Sequence, residues 1–508
     1  MAVPSTGPAA DPAAAYDYTS DDVDDADLRD ALEARVDGDV RFDSYSRQLY
    51  ATDASAYEVT PIGVVMPTST DDVQAVMAYC ADEEIPVLPR GGGTSLAGQT
   101  VNEAVVLDFS RYMNEIVDID PEAETATAQA GTVLGDLNAE CRPHDLKFAP
   151  DPAWGDKSVL GGAIGNNSTG AHSLQYGKTD YYIEEVKAVL ADGTVTRFGE
   201  MVVDEIYEQA DPDSDEILPR VYAQVKRVLE DEAEEVDARY PDLKRNVSGY
   251  NLDMLVDDAR GDLQLPDQSG PDPDSEAGTV NLARLLAGSE GTLAIVTEAT
   301  VALEPIPETT AVALLTYDSV LDAVRDVDPI LEHDPAAVEV MDDVLLDLAR
   351  DTEEFGPVVD LLPDGTDSVL LVEFYADDTA HGKQQVADLL ADRVPEATSA
   401  VGPSEGASER TTQAPTARAA MEAYDDETKS TFWKMRKSGL PILLSRTSDA
   451  KHIAYIEDTA IPAENLPAFV GDFQDILEDH DTFASYYAHA GPGVLHIRPL
   501  VNTKTVDG

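Results

Sequence analysis

The chain has 508 residues, 43% of them hydrophobic, enough for two or three domains around a large core. Its 100 acidic residues against 34 basic ones give a net charge of −66, spread along the whole length. That balance leaves no cations to spare for neutralising phosphates, which argues against nucleic acid and anionic membranes as partners. No apolar run approaches the ~20 residues of a membrane span. Cys80 and Cys141 are too few for a four-thiolate iron–sulfur cluster or a disulfide framework. Such an acidic coat suits concentrated salt, where the Debye length falls to about 3 Å near 1 M and self-repulsion is screened. A high-salt cytoplasm is the expected location.

Residues 1–22 have neither the basic start nor the apolar centre of a secretory signal and are expected to form a disordered tail, followed by a polar helical segment over 23–57. A first domain is read over 58–305. It opens with a strand at Ile62 to Met66. A helix follows, capped by Ser69 or Thr70 with Asp71 and Asp72 in its first turn, then a second strand at Val87 and Leu88. This β-α-β entry delivers the stretch PRGGGTSLAGQ, Pro89 to Gln99. Gly91, Gly92 and Gly93 carry no Cβ, so successive N–H groups can turn inward as a nest for a diphosphate, with hydroxyls from Thr94 and Ser95. A Rossmann fingerprint fails because Leu96 stands where its third glycine belongs, and no Gly-Lys-Ser/Thr occurs for a P-loop. Alone, a triple glycine reads more readily as a ligand-free turn.

Further strands are expected in AVVLDF, EIVDIDPEAETATAQAG and VKAVLADGTVTRF, with Asp-Pro and Asp-Gly turns between them. A second glycine-rich cluster, DPAWGDKSVLGGAIGNNSTG, holds Gly161, Gly162, Asn166 and Ser168, small residues and amides suited to a flat ligand. The acidic stretch at about 204–279 reads as a surface insertion. A third cluster, GSEGTLAIVTE, turns through Gly288, Ser289, Gly291 and Thr292 into a β-branched run. After EPIPE, alternating strand and helix patterns give a second α+β domain over 306–480.

Within that domain Lys434, Arg436, Lys437, Arg446 and Lys451 fall in 18 residues, with Asp449 the only acid among them. A cationic island in so acidic a protein points to an anionic substrate; the alternative is a helix face paired with acids elsewhere. The last segment, 481–508, carries His489 and His496 around a Gly-Pro-Gly turn, a spacing that fits either one metal ion or a structural pair.

Taken together, the three glycine-rich segments resemble the FAD-linked oxidases of the vanillyl-alcohol oxidase / p-cresol methylhydroxylase type. Within that family the resemblance is to the branch of glycolate oxidase, D-lactate dehydrogenase and D-2-hydroxyglutarate dehydrogenase, and it runs from about Arg41 to the C-terminus. It implies an α+β fold with a two-subdomain FAD-binding domain and an α+β substrate (cap) domain. The flavin would be held by Pro89, Arg90, Gly91, Gly92, Gly93, Thr94, Ser95 and Gln99, by Asp151, Gly161, Gly162, Asn166 and Ser168, and by Gly288, Ser289, Gly291, Thr292 and Ile295. Thr94 stands where covalently flavinylated relatives use histidine, which implies non-covalent FAD.

In FWKMRKSGL the resemblance makes Arg436 the clamp for a substrate carboxylate, through its planar guanidinium. It makes His489 and His496 ligands of a divalent metal such as zinc, which would polarise the substrate hydroxyl. Arg498 is expected to add a carboxylate contact. Ile456 stands where some hydroxyglutarate-type relatives have lysine; Lys451 or His452 are the candidates to replace it. The implied reaction is oxidation of a D-2-hydroxyacid with hydride transfer to FAD, reoxidised by an electron carrier or iron–sulfur subunit. The sequence ends at Gly508, ahead of the family's Glu-His segment, so a truncated or split FAD-binding subunit is the competing expectation.

Overall fold

The computed structural model describes residues 25–152, 154–241, 243, 245–267, 269–394 and 417–504. The tail expected over 1–22 lies outside the described residues.

Two sheets build the first half. In the four-stranded sheet, Asp39–Arg41, Gly63–Met66, Val105–Asp108 and Val87–Arg90 lie side by side in that order. Gly63–Met66 and Val87–Arg90 both run parallel to Val105–Asp108, the β-α-β entry the sequence predicts, with one more strand inserted between. The connecting helix Thr70–Asp82 starts where Ser69 accepts the Asp72 N–H, and it buries Val73, Val76 and Cys80. Asp39–Arg41 departs from the helical segment expected over 23–57. Too short and too charged to show a strand pattern, it pairs antiparallel with Gly63–Met66 as an edge.

The five-stranded antiparallel sheet has the order Ile116–Asp120, Thr125–Gln129, Ile295–Ala302, Ile183–Val189, Val195–Phe198. Its centre is thus supplied by the third glycine-rich segment, from more than a hundred residues downstream of its neighbours. The acidic stretch expected as a surface insertion is more than that. Its helices Val203–Gln209, Ile217–Arg227, Ala233–Arg239 and Leu252–Arg260 place Ile206, Tyr222, Val225, Val236 and Leu255 in the core of this half. Most of their carboxylates lie on the opposite faces, as an amphipathic helix requires, while Asp258 is buried where it accepts the Asn281 N–H.

The second half is one eight-stranded sheet. Ala419–Ala423, Thr309–Tyr317, Ser368–Ala376, Ala337–Met341, Ala484–His489 and Val494–Val501 follow one another, with Lys451–His452 and Ile456–Ala460 both pairing the last. The described part of the segment 481–508, through residue 504, is therefore no separate appendage to the domain expected over 306–480. Ala484–His489 pairs Ala337–Met341 in mid-sheet, with His489 opposite Glu339. Among the described residues no helix is long and apolar enough to cross a membrane.

Candidate active site

The first glycine loop leaves the C-terminal end of Val87–Arg90, where parallel strands present ligands. Arg90 lines the cleft, with its guanidinium engaged inside the protein. Its guanidinium donates to the carbonyls of Tyr50 (3.2 Å), Thr100 (3.0 Å) and Thr52 (2.8 Å), tying both ends of the loop to the N-terminal segment. Gly93 has φ +64°, and a Cβ there would lie 2.6 Å from Arg90 Nη2. A Cβ on Gly92 would lie 2.2 Å from the Lys157 carbonyl. Among the described residues no protein acceptor takes the N–H of Gly91, Gly92, Gly93, Thr94, Ser95 or Leu96. A run of free donors along a cleft wall is the donor set a diphosphate needs.

The opposite wall is the helix Leu160–Gly165. Gly161 is glycine for packing, since a Cβ would sit 2.7 Å from that of Ala130. Gly162 and Gly165 differ. A Cβ would meet only Val159 Cγ2 at 3.5 Å and Glu290 Cα at 3.8 Å, so no protein atom claims that space. Pro89, Ser95, Gln99, Asn166, Ser289 and Gly291 complete the cleft, and Thr94 and Ser168 line its continuation toward the second half.

Four expected flavin contacts fall elsewhere. Ile295 is buried in the hydrophobic core behind the cleft, while its neighbours Ala294 and Val296 line it. Thr292 donates its hydroxyl to the Ser289 carbonyl at 2.6 Å. Gly288, at φ +75°, bonds its N–H to the Ile164 carbonyl and shapes the turn. Asp151 pairs with Lys437 at 2.9 Å and lies 3.6 Å from His172 Nδ1.

These last contacts belong to a clasp between the halves. His172 Nε2 is 2.7 Å from Glu373 Oε2, and Trp433 Nε1 donates to Glu373 Oε1 at 2.9 Å. Burial works against charge on His172, but its hydrogen bonds to Asp151 and Glu373 outweigh that and raise its pKa to about 9.

The cleft continues to Arg436, Lys437, Glu457, Asp458, Tyr487, His489, His496 and Arg498. The cationic island is thus only partly a site. Lys434 pairs with Glu354, Lys451 donates to the Arg446 carbonyl, and His452 is buried with Nδ1 against the Arg498 carbonyl. Neither Lys451 nor His452 reaches the cleft, which corrects their expected role.

Arg436 and Lys437, at the C-terminal end of the helix Asp426–Lys437, remain. Arg436 is buried, 2.6 Å from Glu339 Oε2, and its Nε has no partner among the described residues. Glu339 also meets His489 Nδ1 at 2.9 Å. Burial, partly offset by Arg436, pushes the Glu339 carboxyl up to about 7; burial, reinforced by Arg245, holds the pKa of His489 well below its ordinary value.

His496 Nδ1 is 2.9 Å from Glu457 Oε2, and the two imidazoles stand at right angles with centroids 5.0 Å apart. Glu457 and Asp458 enter the cleft through a register shift between Ile456 and Thr459, where Asp458 takes φ +47°. Arg498 is wholly buried, joined to Glu457, the Tyr487 hydroxyl and the Ile456 carbonyl, so it braces this irregular strand. Among the described residues no three His, Cys, Asp or Glu side chains are arranged to hold a metal ion. Two imidazoles fall short of the three protein ligands of a catalytic zinc site.

Residues 61–199 match the family model described as FAD binding domain, and 306–507 the one described as FAD linked oxidases, C-terminal domain. The chain belongs to the FAD-linked oxidases. It is 30% identical over 476 residues to the D-2-hydroxyglutarate dehydrogenase of Pseudomonas putida, covering 92% of this chain and 44% of that protein. Identity is 31% over 472 residues to the Escherichia coli protein of the same name, with 92% and 43% covered. It is 27% over 476 residues to the glycolate oxidase subunit GlcD of Bacillus subtilis, with 92% and 80% covered. The chain therefore spans less than half the length of these hydroxyglutarate dehydrogenases. In fold it is similar to 4-ethylphenol oxidase from Gulosibacter chungangensis, at TM-score 0.59 and 16% identity over 95% of this chain and 84% of that one. For an FAD-linked oxidase, the six free amides of the first loop and the space over Gly162 and Gly165 fit the diphosphate and the flat ring of the cofactor.

Proposed function

We propose that this FAD-linked oxidase oxidises a D-2-hydroxyacid to the 2-oxoacid. The observation that carries the reading is the continuity of one cleft from the amides of Gly91 to Leu96 to the buried Arg436, with the His489 imidazole beside that guanidinium. Bound FAD supplies the two-electron acceptor for the hydride leaving C2. The Arg436 fork seats the substrate carboxylate. His489 is neutral because burial and two neighbouring guanidinium groups oppose its charge. Its Nδ1–H donates to Glu339, which leaves Nε2 to accept the hydroxyl proton. No step is assigned to a metal.

Support for the substrate class comes from the relatives named as hydroxyglutarate dehydrogenases and a glycolate oxidase subunit. The test is anaerobic mixing of the purified yellow protein with D-lactate, glycolate and D-2-hydroxyglutarate. Bleaching of the flavin band is expected with at least one. A protein that keeps its flavin and is bleached by none overturns the reading. The reduced flavin would pass its electrons to a carrier or iron–sulfur centre other than Cys80 and Cys141, which are both buried. The −66 charge fits a salt-rich cytoplasm; Tm should rise with KCl, and a salt-independent Tm counts against that location.

A further inference from the structure

Arg245 comes from a stretch outside both matched family regions, 61–199 and 306–507, and nothing in the sequence patterns marks it except basic character in an acidic run. It nevertheless lines the cleft together with Arg436, His489 and His496. It is 3% exposed. Its Nη2 donates to Asp458 Oδ1 at 3.0 Å, while Nε and Nη1 have no acceptor among the described residues.

A guanidinium held in place by one wall carboxylate, with two buried N–H edges unsatisfied, lacks an acceptor group, and the acceptor that complements it is an anion. Arg436 repeats the arrangement: it is buried, tethered by Glu339, and its Nε is unpartnered. Both guanidinium groups act on the His489 imidazole, so the two lie on the same reacting centre from different elements. Arg498 shares only an unpartnered Nε, because Glu457, the Ile456 carbonyl and the Tyr487 hydroxyl take both of its Nη groups.

We propose that Arg245 is a specificity-determining residue that receives a second carboxylate, so that the cleft selects 2-hydroxyacids bearing two carboxylates over those bearing one. The irregular strand is part of the device. The left-handed turn at Asp458 points its carboxylate at Arg245 and fixes the guanidinium, as a pre-organised anion seat requires.

This rests on the hydroxyacid reading, and the test separates the two. The holoenzyme is titrated with 2-oxoglutarate and with pyruvate, each followed by perturbation of the flavin absorbance, and turnover of D-2-hydroxyglutarate and D-lactate is measured in parallel. The wild type should bind 2-oxoglutarate at least about tenfold more tightly than pyruvate, and Arg245→Gln should reduce that ratio by about tenfold or more. Arg245→Lys, which keeps the charge, should restore part of it and serves if the glutamine variant does not fold. An unchanged ratio in either variant overturns the proposal. So does a shift of the flavin reduction potential with both acids weakened equally, because it would place Arg245 on the cofactor. If the binding preference is found but no hydroxyacid bleaches the flavin, the oxidase reading fails and the anion seat stands.

Discussion

The two walls of the cleft recognise by opposite means. The flavin wall is almost without charge: free amides of Gly91 to Leu96 and the bare Cα positions of Gly162 and Gly165. The substrate wall is built of charges, each arginine matched by a buried or half-buried carboxylate: Arg436 with Glu339, Arg498 with Glu457, Arg245 with Asp458. In a chain of −66 this division has a physical logic. Backbone dipoles bind a diphosphate without spending any of the 34 basic residues. Arginines confined among carboxylates, by contrast, are fixed in direction and discriminate between anions.

The comparison breaks first at Arg436. Replacing it with alanine removes the carboxylate seat and strands Glu339, a loss of about a thousandfold in kcat/KM; stopped-flow reduction should show it while flavin content stays the same. Equal loss of flavin would mean the two walls are not independent. A smaller effect belongs to His489→Gln, which should lower kcat about a hundredfold with little change in KM. Normal turnover would move the proton acceptor elsewhere.

On the other wall, Gly162→Ala should weaken FAD binding by about tenfold, because overpacking costs about 1 to 3 kcal/mol. The apoprotein should be as stable as before or more so, since alanine is the better residue inside a helix. Unaltered flavin affinity would show that the space over Gly162 is not the cofactor's.

The smallest effect concerns the clasp that joins the walls. His172 has its pKa raised to about 9 in the fold against about 6.5 when unfolded, so its contribution is complete below pH 6.5 and is lost as pH rises through 9. Thermal melts should decline over that window by on the order of 1 kcal/mol, and His172→Gln should flatten the decline. A variant with the wild-type slope would assign the pH dependence to another group.

Local and distant determinants explain what the sequence disclosed. The glycine loop, its β-α-β entry and the second glycine cluster are contiguous, so composition and spacing reveal them before any contact is known. Ile295 and Val296 are both β-branched and apolar, so their sequence does not distinguish the core face from the cleft face. In a strand buried as Ile295, Thr297, Ala299 and Val301, the cleft face belongs to Val296. The substrate wall is assembled across far greater separations: Glu339 with His489 across 150 residues, Arg245 with Asp458 across 213. No window of sequence contains both partners. For the same reason the density of cations around Arg436 overstated the site, since Lys434 finds its acid at Glu354, far upstream. Asp39–Arg41 escaped notice because three residues show no period.

The position of Ile295–Ala302 between Thr125–Gln129 and Ile183–Val189 bears on how the molecule is made. As a ribosome releases the chain, the two outer hairpins of that sheet are complete long before their common neighbour emerges. Each then presents an open backbone edge to solvent while roughly a hundred or more further residues are synthesised. Cutting the gene after residue 199, where the matched FAD binding domain ends, would make that interval permanent and give a product with two unsealed edges in place of a free-standing flavin module.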